Sequence, residues 1–119
     1  MQGITDELDL AFLTVDFGQG PIDFQVDTAF RGTLLIGEDV FDSSRAEPAG
    51  FVDADLAADQ SYEFPRFRII FQWLGQAIDT FILVGPGKEC LLGTALLSPH
   101  HLDIDCEARV VHLTPNPNW

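Results

Sequence analysis

Phe24-Gln25-Val26-Asp27-Thr28-Ala29-Phe30 is the most informative run in this chain. Just upstream, over residues 21–26, the apolar Ile22, Phe24 and Val26 alternate with Asp23 and Gln25. That period of two belongs to a strand with one face buried. The strand runs directly into Asp27, which is followed by a small hydroxyl residue and a small apolar one. Such a setting presents a carboxylate from a tight loop. A strand-end aspartate that only satisfies turn amides has the same local pattern, so its meaning depends on the rest of the chain.

A length of 119 residues favours a single domain covering 1–119. Hydrophobic residues make up 46% of the chain, ten of them Phe, against 21% charged residues, which is enough apolar surface to offset chain entropy. Nineteen acids face six bases, a net charge of -13. Phosphate backbones and anionic lipid headgroups are repelled by that charge, so neither nucleic acid nor membrane is expected as a partner. The acidity is concentrated in residues 1–63, with 14 acids and only Arg31 and Arg45 as bases, and reads as a solvated face. Cys90 and Cys106 are too few for a disulfide framework or a structural zinc site, and are expected as free thiols. The first nine residues lack the basic opening of a signal peptide, and no apolar run approaches the roughly 20 residues that span a bilayer. These features predict a soluble cytoplasmic protein.

Outward from Asp27 the pattern stays β. Residues 8–15 read as a strand and 16–21 as a loop carrying Gly18, Gly20 and Pro21, so a hairpin leads into the strand before Asp27. Residues 33–36 form a further short apolar run, followed by a helical turn at 38–41. Residues 42–60 are acidic, rich in small residues and interrupted by Pro48 and Gly50, and are expected as loop with a short strand near Phe51-Val52. A long hairpin follows over residues 67–84, turning at Leu74-Gly75-Gln76, with Phe67, Ile69, Phe71, Ile78 and Ile82 facing the core. Residues 90–92 make a very short strand, and 94–97 a short helix stopped by Ser98-Pro99. Two more strands, near 102–106 and 109–113, bring the total to about eight. With no βαβ alternation, the class is all-β, barrel or sandwich.

Most catalytic patterns are missing. Gly85-Pro86-Gly87-Lys88-Glu89 places a carboxylate where a phosphate loop needs a hydroxyl, and Gly18-x-Gly20 lacks both a third glycine and a following helix. No serine or cysteine sits in a recognisable nucleophile turn. The adjacent His100 and His101 would point to opposite faces of a strand and read as surface histidines beside a turn. No metal site is expected.

Two segments together carry more than either alone. Asp27-Thr28-Ala29-Phe30 behind apolar residues resembles the active-site signature of the retropepsin-like aspartic protease superfamily. Some 60 residues later, Cys90-Leu91-Leu92-Gly93-Thr94-Ala95-Leu96-Leu97, followed by Leu102-Asp103-Ile104-Asp105, resembles that fold's second signature: apolar residues, a glycine, a short helix and a return strand. The likeness spans about residues 8–114 and is to the small single-domain prokaryotic members.

The resemblance implies a closed barrel of the acid protease fold with one short helix near the C-terminus. It also implies a homodimeric endopeptidase that needs no cofactor and cleaves peptides or unfolded proteins. Peptide hydrolysis at mild pH needs a base for water and an acid for the carbonyl oxygen, and two close carboxylates sharing one proton supply both. A single Asp-Thr-Ala copy therefore implies that Asp27 from two chains meets on a two-fold axis. By the same resemblance, Asp27 is the catalytic residue and Thr28 hydrogen-bonds across the dimer axis. Ala29 stands where glycine is usual, and Leu91, Leu92 and Gly93 pack beneath the Asp27 loop. Residues 54–62, with Ala57, Ala58, Asp59 and Gln60 at the tip, form a flap over the substrate. Gln60 stands where glycine is usual there too. These two departures support the alternative of a catalytically inactive dimerisation or peptide-binding module.

Overall fold

The computed structural model describes residues 1–16, 20–56 and 60–116, with the side chains of residues 54–56, 60 and 61 excepted. Ten strands and one short helix follow in chain order. They are β1 (Gln2–Thr5), β2 (Ala11–Asp16), β3 (Pro21–Val26), β4 (Leu34–Gly37), β5 (Glu47–Leu56), β6 (Gln60–Trp73), β7 (Gln76–Gly85), β8 (Leu91–Leu92), α1 (Thr94–Leu97), β9 (His100–Asp105) and β10 (Val110–Pro115). A 3-10 turn, Ser43–Arg45, precedes β5, with the Asp42 carboxylate accepting from the Ser44 N–H at its start.

Period-two alternation builds these strands. In β2, Ala11, Leu13 and Val15 are buried while Thr14 and Asp16 face out. In β6, Ile69, Phe71 and Trp73 are buried, and Arg68, Ile70 and Gln72 are exposed. Of the five hairpin residues expected in the core, Ile69, Phe71 and Ile82 are fully buried, and Phe67 and Ile78 pack partly buried against them. Leu74 and Gly75 make the two-residue turn from β6 to β7, with φ of 50° and 83°. Positive φ at both positions is the signature of a turn whose twist matches its flanking strands. On the outer face of this hairpin, Arg68 pairs with Asp79 and Glu47, and Arg66 lies 4.5 Å above the Phe81 ring.

All ten strands belong to one sheet in the order β5-β6-β7-β4-β8-β3-β2-β1-β10-β9. Its inner face wraps one core, drawing Phe24 from β3, Leu34 and Ile36 from β4, Leu92 from β8, Leu96 and Leu97 from α1, and Val111 and Leu113 from β10. The closed barrel expected from the sequence is not what forms. The sheet is open, because its two end strands, β5 and β9, share no register. Both end strands carry exposed acids, Glu47 and Asp53 on one and Asp103 and Asp105 on the other, and charged side chains on an edge discourage it from pairing further.

Two further expectations change. The segment 42–60 is mostly strand: β5 runs ten residues against β6, with a register shift between Pro48 and Phe51 at Gly50, whose φ is 84°. An edge strand tolerates proline and a bulge because one side of its backbone bonds to no neighbour. The short β1, unread in the sequence, is paired on both sides, by β2 and by β10. The helix over 94–97 forms as expected. Of the expected flap tip, Ala57, Ala58 and Asp59 lie outside the described residues, and Gln60 is the first residue of β6, paired with Leu56.

Candidate active site

Asp27 sits one residue beyond the end of β3, where the sheet changes direction of pairing. β8 lies between β3 and β4, parallel to the first (Gln25↔Leu91, Val26↔Leu92) and antiparallel to the second (Leu34↔Leu92, Leu35↔Leu91). Gln25 N–H donates to Cys90 O at 2.9 Å, and Asp27 N–H donates to Leu92 O at 3.0 Å. The backbone of Asp27 is therefore held by the second signature segment. Leu92 is completely buried at this junction and Leu91 half-buried.

Beyond Asp27 the chain turns at once. Ala29 N–H donates to Asp27 Oδ1 at 2.9 Å, and Phe30 N–H to Asp27 O at 3.2 Å, so the carboxylate closes its own turn. Ala29 adopts a negative φ, a conformation open to any L residue, so its methyl group adds no backbone strain within the chain. Asp27 is half-buried, while Thr28 and Ala29 are exposed.

The far side of the loop is pinned to α1. Thr94 N–H and its hydroxyl both donate to Phe30 O, at 2.8 and 3.3 Å, and Ala95 N–H donates to Gly32 O at 3.2 Å. Gly93 N–H donates to Thr33 O at 2.9 Å, and the Thr33 hydroxyl donates to Phe81 O at 2.5 Å. Gly93 must lack a side chain here: a Cβ would stand 2.7 Å from both Phe30 O and Phe30 Cδ2, and would press on Gly32 O.

Asp27, Thr28, Ala29, Leu91, Leu92 and Gly93 are thus brought to one place by β3, β8 and α1. Phe30, Thr33 and Thr94 belong to the same assembly and are not evident in the sequence as site residues. The hint they leave is the Gly93-Thr94 pair opening a helix, where a glycine allows close approach and a hydroxyl follows it. A cavity of about 480 Å³ reaches this assembly at Thr33 and Ala95 and extends from there to Trp73, Ile78 and His100. No metal-holding cluster of His, Cys, Asp or Glu occurs among the described residues. Chemically, one chain offers one carboxylate with Oδ1 engaged by an amide. That supplies an acid or a base, and both together require a second carboxylate.

Among the described residues both cysteines are free, Cys90 buried and Cys106 exposed. Burial pushes the Cys90 thiol above its ordinary range, which makes it a poor nucleophile. No helix among the described residues is long and apolar enough to cross a membrane.

No protein-family model and no curated protein sequence matches the chain. Among solved structures, it is similar to a retropepsin-like aspartic protease from Rickettsia conorii, with a TM-score of 0.64 and 17% sequence identity over 97% of this chain and 89% of that one. The likeness carried in the sequence by two short signatures thus extends in structure over nearly the whole molecule, and this chain has the retropepsin-like fold.

Proposed function

We propose that this protein is a homodimeric aspartic endopeptidase of one domain that cleaves extended segments of peptides or unfolded proteins without a cofactor. The observation that carries this reading is the Asp27 turn: a carboxylate at a strand end, fixed by β8 and α1, beside exposed Thr28 and Ala29. Asp27 of two copies would meet on a two-fold axis, where like charges in contact keep one carboxyl protonated. The ionised partner takes a proton from water, which attacks the peptide carbonyl, and the protonated one gives its proton to the carbonyl oxygen. Thr28 would lock the two loops together, Leu91, Leu92 and Gly93 would support them, and Ala57, Ala58, Asp59 and Gln60 would form the flap tip that excludes water. The two free thiols fit a reducing compartment, and we place the protein in the cytoplasm.

Asp27→Asn tests the mechanism. The amide is nearly isosteric and leaves the fold intact, while cleavage of an unstructured protein at mildly acidic pH falls by at least about 100-fold. Native-level cleavage by Asp27→Asn would dismiss the aspartic mechanism. A second reading, a catalytically inactive dimerisation or peptide-binding module, is favoured by exposed Ala29, whose methyl group stands on the surface that a second loop or a substrate would approach. Ala29→Gly separates the two. A gain in cleavage marks an attenuated enzyme, and an inert native chain with an inert glycine variant marks the binding module.

A further inference from the structure

We infer that the three residues after Asn116 fold back so that Trp119 fills the cavity of about 480 Å³ walled by Trp73, Ile78, Leu96 and His100. The occupant is a segment of this same chain, Pro117-Asn118-Trp119, which lies outside the described residues.

The cavity opens between the β6–β7 turn, α1 and the start of β9. Trp73, 5% exposed, and Leu96, 6% exposed, make an apolar wall with half-buried Ile78. His100 stands edge-on to Trp73, the ring centroids 6.2 Å apart and the planes at 78°. A third ring suits such a pair, because aromatic rings favour edge-to-face and offset contacts. Ligand pockets run to about 300–1,000 Å³, so one indole has room here without displacing the walls. The indole N–H of Trp73 is buried and has no partner among the described residues. An unpaired buried donor is costly, and a segment that brings backbone and amide carbonyls supplies what it lacks.

The path of the chain chooses the occupant. Pro115 of β10 pairs with His100 and itself lines the cavity, and Asn116 N–H donates to Pro99 O at 3.1 Å, which pins the strand end beside Ser98, another lining residue. Three residues span at most about 10 Å, so from Asn116 this cavity is within reach of Trp119. Pro115 and Pro117 flank Asn116, and proline lowers the entropy a segment loses on ordering. No side chain of the segment is charged, so the net charge of -13 does not repel it. A tethered ring is present at an effective concentration in the mM range, which favours it over a free ligand or a second copy. Of the three side chains, Trp119 has the apolar area to cover the Trp73–Leu96 wall. Thr33 and Ala95 line the far side, and their bonds to Phe81 O and Gly32 O belong to the support of the Asp27 loop. A seated Trp119 therefore braces α1 against that loop.

The test is acrylamide quenching of tryptophan emission from the full chain across a protein concentration series, with circular dichroism to check folding. The chain has two tryptophans, so the emission lost in Trp119→Phe reports Trp119, and Trp73→Phe leaves Trp119 alone. Trp119 should be quenched several-fold less in the folded chain than in urea, and equally so at every concentration. Ala95→Phe puts a ring into the cavity from an exposed position on α1, and should bring the quenching of Trp119 back toward its value in urea. Indole added to Trp119→Ala should raise its urea midpoint and leave the native midpoint unchanged. Quenching of Trp119 in the folded chain as free as in urea would overturn the seating. So would protection that grows with protein concentration, which gives the cavity to a second copy, or protection that survives in a folded Ala95→Phe, which places Trp119 elsewhere. Indole that raises both midpoints equally would show the cavity open in the native chain and overturn it as well.

Discussion

Gly93→Ala puts the support of the Asp27 loop under direct strain. The added methyl group would stand 2.7 Å from Phe30 O and from Phe30 Cδ2, with Gly32 O closer still. Two of these three atoms are backbone, so relief requires the loop over 30–32 to move away from α1. That movement stretches the Thr94 N–H bond to Phe30 O and the Ala95 N–H bond to Gly32 O, now 2.8 and 3.2 Å. Overpacking costs about 1–3 kcal/mol, and each weakened hydrogen bond adds up to about 1 kcal/mol. A loss of about 2–4 kcal/mol follows, since the methyl group either strains the site or breaks the bonds and does not do both fully. In urea, with a slope of about 2 kcal/mol per M, the midpoint should fall by about 1–2 M. Thr94→Ala is the comparator: it removes only the hydroxyl bond to Phe30 O at 3.3 Å and should cost about 1 kcal/mol or less. Equal midpoints for Gly93→Ala and the native chain would refute the close packing of α1 against the loop, and with it the account of how Asp27 is held.

Phe71 is 4% exposed at the centre of β6, and Phe71→Ala should destabilise by about 3–5 kcal/mol in the same titration; a cost under about 1 kcal/mol would mean the core face of the hairpin is misassigned. An aromatic disulfide reagent at pH 8 should modify one thiol per chain quickly, the exposed Cys106, with Cys90 reacting only as the chain opens, and two equally fast thiols would contradict the burial. Because burial raises Cys90, the folded chain keeps a proton that the unfolded chain gives up in alkaline solution. Its contribution to stability is complete at neutral pH and is lost as pH climbs through the thiol's raised value, so the stability gap between the native chain and Cys90→Ala should narrow from pH 8 upward.

What the sequence reveals follows the physics of each segment. β3 is legible to the residue, because Ile22, Phe24 and Val26 alternate with polar neighbours and nothing outside the strand is needed to see it. α1 is legible from its stop at Ser98-Pro99, and the Leu74-Gly75 turn from its glycine. β5 is hidden by its proline, glycine and acids, which mark a loop in isolation and are admitted in a strand that has a neighbour on one side only. β1 is hidden because Gln2-Gly3-Ile4-Thr5 has no pattern of its own and is strand only between β2 and β10. Whether the sheet closes is decided by how its two remote edges meet, and no local run of residues records that. At the site, Asp27 is visible as a motif, but Phe30 acts through its carbonyl oxygen, and Thr33 and Thr94 join backbone groups to hydroxyls whose partners are distant main-chain carbonyls, which no local side-chain pattern records.

The bonds between the Asp27 loop and α1 join residues up to 64 positions apart in the chain. A loop of that length closes late, because the ordering of the intervening chain must be offset before the contact contributes anything. The turn that Ala29 N–H closes on the Asp27 carboxylate is local, yet the bonds that anchor that turn wait for residues 92–95 to arrive. A fragment ending before β8 would carry the aspartate without the contacts that fix its backbone, so the support of the Asp27 loop is complete only once β8 and α1 have been made and folded.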